Sequence, residues 1–207
     1  ARTYADWCFE RRAQLPPENT RTYSLPDVKK LPRDVRPYLA PSPMIESKTT
    51  RIRAALKEAA AGQAKPWQKV EAIYDWARGK VQMKKGPVKG AVAVLRDGEG
   101  DTEDYVSLFV ALCRTADIPA RTVWVPGHCY AEFYLVDEEG KGHWFPCELT
   151  GNRSFGGISD PRPVLQKGDN FRAPYNPRDK QRFLSEYLTA TGVSRPTAKF
   201  VRQPAGR

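Results

Sequence analysis

Residues 98–113, Gly-Glu-Gly-Asp-Thr-Glu-Asp-Tyr-Val-Ser-Leu-Phe-Val-Ala-Leu-Cys, constrain the fold more than any other stretch. Gly98 and Gly100 interrupt whatever precedes them. Asp101 or Thr102 can cap a helix, and Glu103 and Asp104 place negative charge at its positive end. From Tyr105 to Cys113 the helix is apolar almost all round, so most of its sides must be buried. The chain therefore has to build its remaining elements around this one. With 207 residues, 40% of them hydrophobic, it is long and apolar enough to do so in one domain.

Upstream, helix signals begin near Glu46. Ile52, Ala55, Leu56 and Ala59 recur at helical spacing and Gly62 offers a stop. Pro66 to Lys80 reads as a second helix, with proline in its first turn and Trp67, Val70, Ile73, Tyr74 and Ala77 as its stripe. A short helix from Ala91 to Arg96 should end at Asp97-Gly98. Downstream, Arg121 to Val125 alternates and is β-branched, as a strand would be.

Cys129–Val136 and His143–Leu149 read as two further strands joined by Glu138-Glu139-Gly140. A three-residue hairpin loop ending in glycine pairs Asp137 with Lys141 and fixes the register. Leu135 then faces His143, Tyr130 faces Glu148, and His128 faces Thr150. One face carries Cys129, Ala131, Phe133, Leu135, Phe145, Cys147 and Leu149, a core face on which His143 also falls as a structural residue. The other carries His128, Tyr130, Glu132, Tyr134, Trp144 and Glu148. On that face His128 and Glu148 are diagonal neighbours within reach of each other. A two- or four-residue loop would separate them.

The ends are less regular. Residues 1–45 form a proline-rich arm that Leu25, Leu31, Val35, Tyr38 and Leu39 can pin to a core. Residues 46–160 read as the core, and 161–207 as an extension packed on it. In that extension a helix capped by Asn176, with Pro177 in its first turn, presents Phe183, Leu184, Tyr187 and Leu188 and stops at Gly192. Lys199 to Arg202 suggests an edge strand. Helices first and strands afterwards make an α+β domain. Opening at Ala1 without methionine suggests a trimmed or processed start, from which any targeting segment is already gone.

The net charge of +10 is uneven, because residues 101–160 hold ten acidic and four basic side chains while the flanks are basic. Ordinary solubilising charge accounts for the flanks. Without aromatic-interleaved basic motifs, no nucleic-acid partner is expected. No apolar run approaches the roughly eighteen residues of a membrane span. Cys8, Cys113, Cys129 and Cys147 have no zinc-ligand spacing, and no metal site is expected.

Four segments taken together resemble the transglutaminase-like superfamily. They are Gly98-Glu-Gly-Asp-Thr102-Glu-Asp104, Leu112-Cys-Arg-Thr-Ala-Asp-Ile-Pro-Ala-Arg121, His128-Cys-Tyr-Ala-Glu132 and Trp144-Phe-Pro-Cys-Glu148. Order and spacing are kept over roughly residues 65 to 150. The resemblance implies a papain-like fold, in which a buried helix bearing the nucleophile packs on a mainly antiparallel sheet. It implies cysteine-dependent peptide or isopeptide hydrolysis or amide acyl transfer, with peptide or protein substrates and no metal or organic cofactor. It also points outside the cytoplasm, where many bacterial relatives act.

At two of the three catalytic positions the chain departs from that pattern. Thr102 stands at the nucleophile's place and Glu148 at the aspartate's, while His128 is kept. A longer carboxylate can still orient a histidine. A hydroxyl is far less acidic than a thiol of pKa ~8.5, and threonine's β-methyl restricts the rotamer needed for attack. Three readings follow: a non-catalytic peptide-binding or scaffolding module, an active enzyme whose cysteine was exchanged, or a Thr102–His128–Glu148 hydrolase. Asp101, Tyr130, Glu132 and Trp144 are supporting or cleft residues in each, and Trp76 and Trp124 are further candidates for the cleft wall.

Overall fold

The computed structural model describes residues 8–188, 191–192, 197–199 and 201. Its helices are α1 (Thr50–Ala59), α2 (Pro66–Lys80), α3 (Ala91–Asp97) and α4 (Thr102–Thr115). The strands are β1 (Gln82–Met83), β2 (Glu99–Gly100), β3 (Ala120–Val125), β4 (His128–Val136), β5 (Gly142–Glu148), β6 (Ser154–Phe155), β7 (Gln166–Lys167), β8 (Phe171–Ala173) and β9 (Asn176–Gln181). A five-stranded antiparallel sheet in the order β6-β5-β4-β3-β7 lies against α4. This is an α+β, papain-like arrangement. Among the described residues no helix is long and apolar enough to cross a membrane.

α4 is buried on nearly every side, as its composition requires. Leu108, Phe109 and Leu112 have no exposed surface, and each such burial contributes roughly 1.5–3 kcal/mol. The entry to α4 is built from its own acids. Asp101 caps the helix by accepting from the Asp104 amide at 3.1 Å, and Asp104 accepts back from the Asp101 amide at 3.2 Å. The buried Asp104 carboxylate also takes the amides of Lys89 (2.8 Å) and Gly90 (3.0 Å), tying the loop before α3 to α4. Such closeness leaves no room at residue 100, where a Cβ would stand 2.4 Å from Val94 Cγ2 and 2.7 Å from Asp104 Cβ. Glycine is the residue that fits.

The β4–β5 register is the one the three-residue loop demands. Leu135 pairs with His143, Tyr134 with Trp144 and Ala131 with Cys147, while the Asp137 amide donates to the Lys141 carbonyl at 2.9 Å. Cys129, Ala131, Phe133, Leu135, Phe145, Cys147 and Leu149 all join the main core. The opposite face is covered by the arm, whose Leu31, Val35 and Leu39 pack on Tyr134 and Trp144. His143 is structural, donating through Nε2 to Asp137 Oδ2 at 2.6 Å and meeting the edge of Tyr23.

That turn gives a pH prediction. The His143 hydrogen bond, helped by the Lys141 and Glu139 amides, outweighs desolvation and holds the Asp137 carboxyl below its usual 3.8. A carboxyl depressed on folding stabilises the fold above its unfolded pKa, and the contribution is lost as pH falls through the folded value. Asp137→Asn is expected to lower the melting temperature at about pH 6 and to matter progressively less toward about pH 2. Thermal melts across that range check it; a deficit of constant size would contradict the assignment.

One expected element is replaced. Residues 176–181 are not the first turns of a helix but strand β9, which folds back on β8 with Ala173 opposite Asn176. Pro177 suits the first turn of a helix or an edge strand equally. The supposed helical stripe is drawn elsewhere: Phe183 packs on Trp124, Leu184 bonds Gln166, and Tyr187 meets Tyr175. Tertiary contact overrides local propensity here. Gly192 therefore closes no helix continuous with residue 176, and the strand expected at 199–202 lies largely outside the described residues.

Candidate active site

β3 and β4 are joined by Pro126-Gly127, with Val125 and His128 as the closing pair and Gly127 left-handed at φ 68°. A proline-glycine turn places His128 at the very start of β4. Glu148 ends β5, one pair beyond Ala131–Cys147, and the hairpin register brings it diagonally against His128. His128 Nε2 and Glu148 Oε2 are 2.7 Å apart, with side chains 16% and 17% exposed. A carboxylate oxygen only accepts, so Nε2 carries the proton in this bond and Nδ1 is left as the basic nitrogen.

Glu148 is held from several directions. Its Oε1 accepts from the amide and the hydroxyl of Thr150, both at 3.1 Å. Its main-chain carbonyl takes Tyr74 Oη at 2.8 Å and Arg78 Nη1 at 3.2 Å, both from α2. The carboxylate therefore has little freedom to leave the imidazole.

Thr102 is the first residue of α4 and half-buried. Asp101, not Thr102, supplies the cap. The capping box uses the amide of Asp104, which leaves those of Thr102 and Glu103 without intrahelical partners at the positive end of the helix. The helix start and the His128 end of the sheet lie close together. The Cys129 thiol, next to His128, feels the charges of Glu103, Glu148 and Asp101 at once, though burial is the main cause that pushes it well above the ordinary thiol value. Burial likewise raises Cys113 and Cys147. No two cysteines are bonded to each other among the described residues, and Cys8 is exposed.

The other expected site residues are placed elsewhere. Tyr130 is buried and accepts from Arg11 Nη2 at 2.8 Å. Glu132 is buried between Arg121 (2.7 Å) and Lys167 (2.8 Å). These two line a depression of about 320 Å³ with Arg11, Gln14, Val164 and Lys167, apart from the His128–Glu148 pair. Trp144 lies under Arg121, whose guanidinium carbon is 3.9 Å from its ring centre, and beside Tyr38. Trp76 carries Lys80 over its ring. Trp124 alone of the tryptophans proposed for a cleft stands next to the site, opposite Cys129 in register.

Each acid of the 101–104 group has its own task. Asp101 caps, Asp104 binds backbone amides, and Glu103 pairs with Arg182 at 3.2 Å. Desolvation raises the Glu103 carboxyl, and Arg182 opposes that rise. Arg182, Phe183 and Gln166 at this corner carry no motif, so the sequence held no signal for them.

A nearly all-round apolar helix starting beside a histidine–carboxylate pair on an antiparallel sheet defines a papain-like α+β core. Residues 53–149, a little under half of the chain, match the family model of the transglutaminase-like superfamily. The crystal structure of a "Putative Cysteine Protease" from Cytophaga hutchinsonii is similar in fold, with a TM-score of 0.55 at 23% identity, covering 68% of this chain and 49% of that one. The present chain thus spans about half the length of that protein. A "putative protease" from Parabacteroides distasonis ATCC 8503 is more remote, with a TM-score of 0.41 at 14% identity, covering 57% of this chain and 28% of that one. No curated protein matches the chain with significance.

Proposed function

We propose that the chain is a transglutaminase-like domain with Thr102, His128 and Glu148 in the places of cysteine, histidine and aspartate. With threonine as nucleophile it is catalytically impaired in peptide or isopeptide hydrolysis or amide acyl transfer. The observation that carries this reading is the 2.7 Å contact between His128 Nε2 and Glu148 Oε2 beside the start of α4. A carboxylate that orients an imidazole and stabilises its protonated form is the supporting half of a nucleophilic triad.

The chemistry assigns a role to each group. The nucleophile at residue 102 attacks an amide carbonyl carbon, and its proton passes to His128 Nδ1. The amides of Thr102 and Glu103 are suited to the oxyanion that forms. His128 then protonates the leaving nitrogen as the C–N bond breaks, and water or an amine resolves the acyl intermediate. A thiol near a helix N-terminus and an imidazole ionises readily, whereas an alcohol does not. Threonine nucleophiles are usually served by their own terminal amine, and Thr102 is mid-chain. Peptide is the ligand class, in keeping with the protease description of the Cytophaga protein.

A second reading, a peptide-binding module without turnover, is favoured by the occupation of the adjoining corner by the chain's own residues. The experiment that separates the two is Thr102→Cys, with the alkylation of the new thiol followed against pH in the presence and absence of His128→Ala. A thiol activated by His128 supports the triad; an ordinary one removes it.

A further inference from the structure

Resting on that reading of the site, we infer that Arg182–Leu184 is an intramolecular ligand seated in a peptide groove beside the start of α4. The groove's alternative occupant is an extended peptide carrying an arginine followed by an aromatic residue.

Three kinds of contact make the groove. Its clamp is Gln166 of β7, whose Nε2 donates to the Leu184 carbonyl while its Oε1 accepts from the Leu184 amide at 2.9 Å. A side-chain amide that takes both main-chain groups of one residue reads peptide backbone, whatever the side chain. Its floor is Trp124, held by a 2.8 Å bond from its Nε1 to the Gly168 carbonyl. Phe183 meets this ring edge-on with centroids 5.4 Å apart. Its far wall is the first two turns of α4, where Ser107 Oγ accepts from Arg182 Nη1 at 3.0 Å and Glu103 lies 3.2 Å from Nη2. The guanidinium also stands over Trp124, 5.8 Å from the ring centre.

The groove adjoins the candidate site on both sides. Glu103 follows Thr102 in the chain, and Trp124 pairs with Cys129, the residue after His128. The Cys129 thiol feels Arg182 as well as Glu103 and Glu148. A peptide lying where Arg182–Leu184 lies would present its chain beside the nucleophile position.

The self-ligand is an imperfect one. The Arg182 side chain is only 12% exposed, yet its Nε and Nη2 are buried without a hydrogen bond among the described residues. Nη2 has the charge of Glu103 nearby but not the alignment of a bond. A buried donor left unpaired opposes its own burial. A peptide that satisfies these donors competes with the segment for the groove, and removing the segment should raise apparent affinity by the fraction of time it fills the groove.

The test uses the full chain with Arg182→Ala and Phe183→Ala together, and a fluorescein-labelled peptide of the sequence of residues 180–188. In fluorescence polarisation the double variant is expected to bind the peptide at least about tenfold more tightly than the unaltered chain. A peptide with alanine in place of its arginine and phenylalanine should not bind. Equal binding by the two proteins, or equal binding of the two peptides, overturns the proposal. If the double variant does not fold, Gln166→Ala serves instead: hydrogen exchange at the Leu184 amide should rise at least about tenfold, and an unchanged rate overturns the proposal. Peptide binding by the double variant with an ordinary thiol in Thr102→Cys keeps the groove and removes the enzyme reading. A reactive thiol with no gain in peptide binding keeps the enzyme and removes the groove.

Discussion

Cysteine introduced at position 102 will form a thiolate at or below about pH 7, against ~8.5 for an unperturbed thiol. His128→Ala in the same protein will return the midpoint toward ~8.5. Two fields act in the same direction, the unpaired amides at the start of α4 and the imidazole that Glu148 holds. The pH midpoint of iodoacetamide alkylation is the quantity to measure, because a lower thiol pKa also lowers intrinsic nucleophilicity and compresses the rate difference. Peptide mapping by mass spectrometry separates residue 102 from the exposed Cys8. Cys113, Cys129 and Cys147 will stay silent while the chain is folded, since burial pushes all three thiols up. A midpoint that ignores His128 would show that the imidazole does not reach residue 102.

Arg114→Met will cost about 3–5 kcal/mol of folding free energy, the range for breaking a buried ion pair from one side. Arg114 and Asp169 are 0% and 1% exposed and joined in two-pronged fashion at 2.7 and 2.9 Å. The same guanidinium donates to the Ala120 carbonyl twice, to the Ala40 carbonyl and to Ser42 Oγ. Loss of the arginine leaves a carboxylate in the interior with the Ser42 hydroxyl and the Thr122 amide as its remaining partners. For a chain of this size the melting temperature should fall by roughly 10 °C. Replacing both partners, Arg114→Met with Asp169→Leu, should recover part of the loss, because no charge is then stranded. Chemical denaturation of the single and double variants measures this, and a double variant less stable than Arg114→Met alone would contradict the account.

The parts of the fold that were legible in the sequence are those in which local chemistry and burial agree. The apolar run from Tyr105 to Cys113 could only be an enclosed helix. The loop ending at Gly140 set the β4–β5 register, and with it the approach of His128 to Glu148. The structure answers both. The tail was misread because Asn176-Pro177 serves a helix start and an edge strand alike. What decides between them is distant: Trp124 and Gln166 capture Phe183 and Leu184. Alternation correctly put Tyr130, Glu132 and Trp144 on one face with His128. It could not show that Arg11, Arg121, Lys167 and the arm would cover them.

The turn at Glu138–Gly140 acts on the site from the far end of its hairpin. Because side chains alternate along a strand, one residue more or fewer in that turn would exchange the faces of β5 relative to β4. Glu148 would then point into the core and His128 would lose it, with no residue near either of them altered. Substitution at Glu138 or Glu139 leaves that count untouched. The side chains at Glu138 and Glu139 can therefore change without disturbing the chemistry, whereas the length of the loop, and the glycine that closes it at φ 78°, cannot.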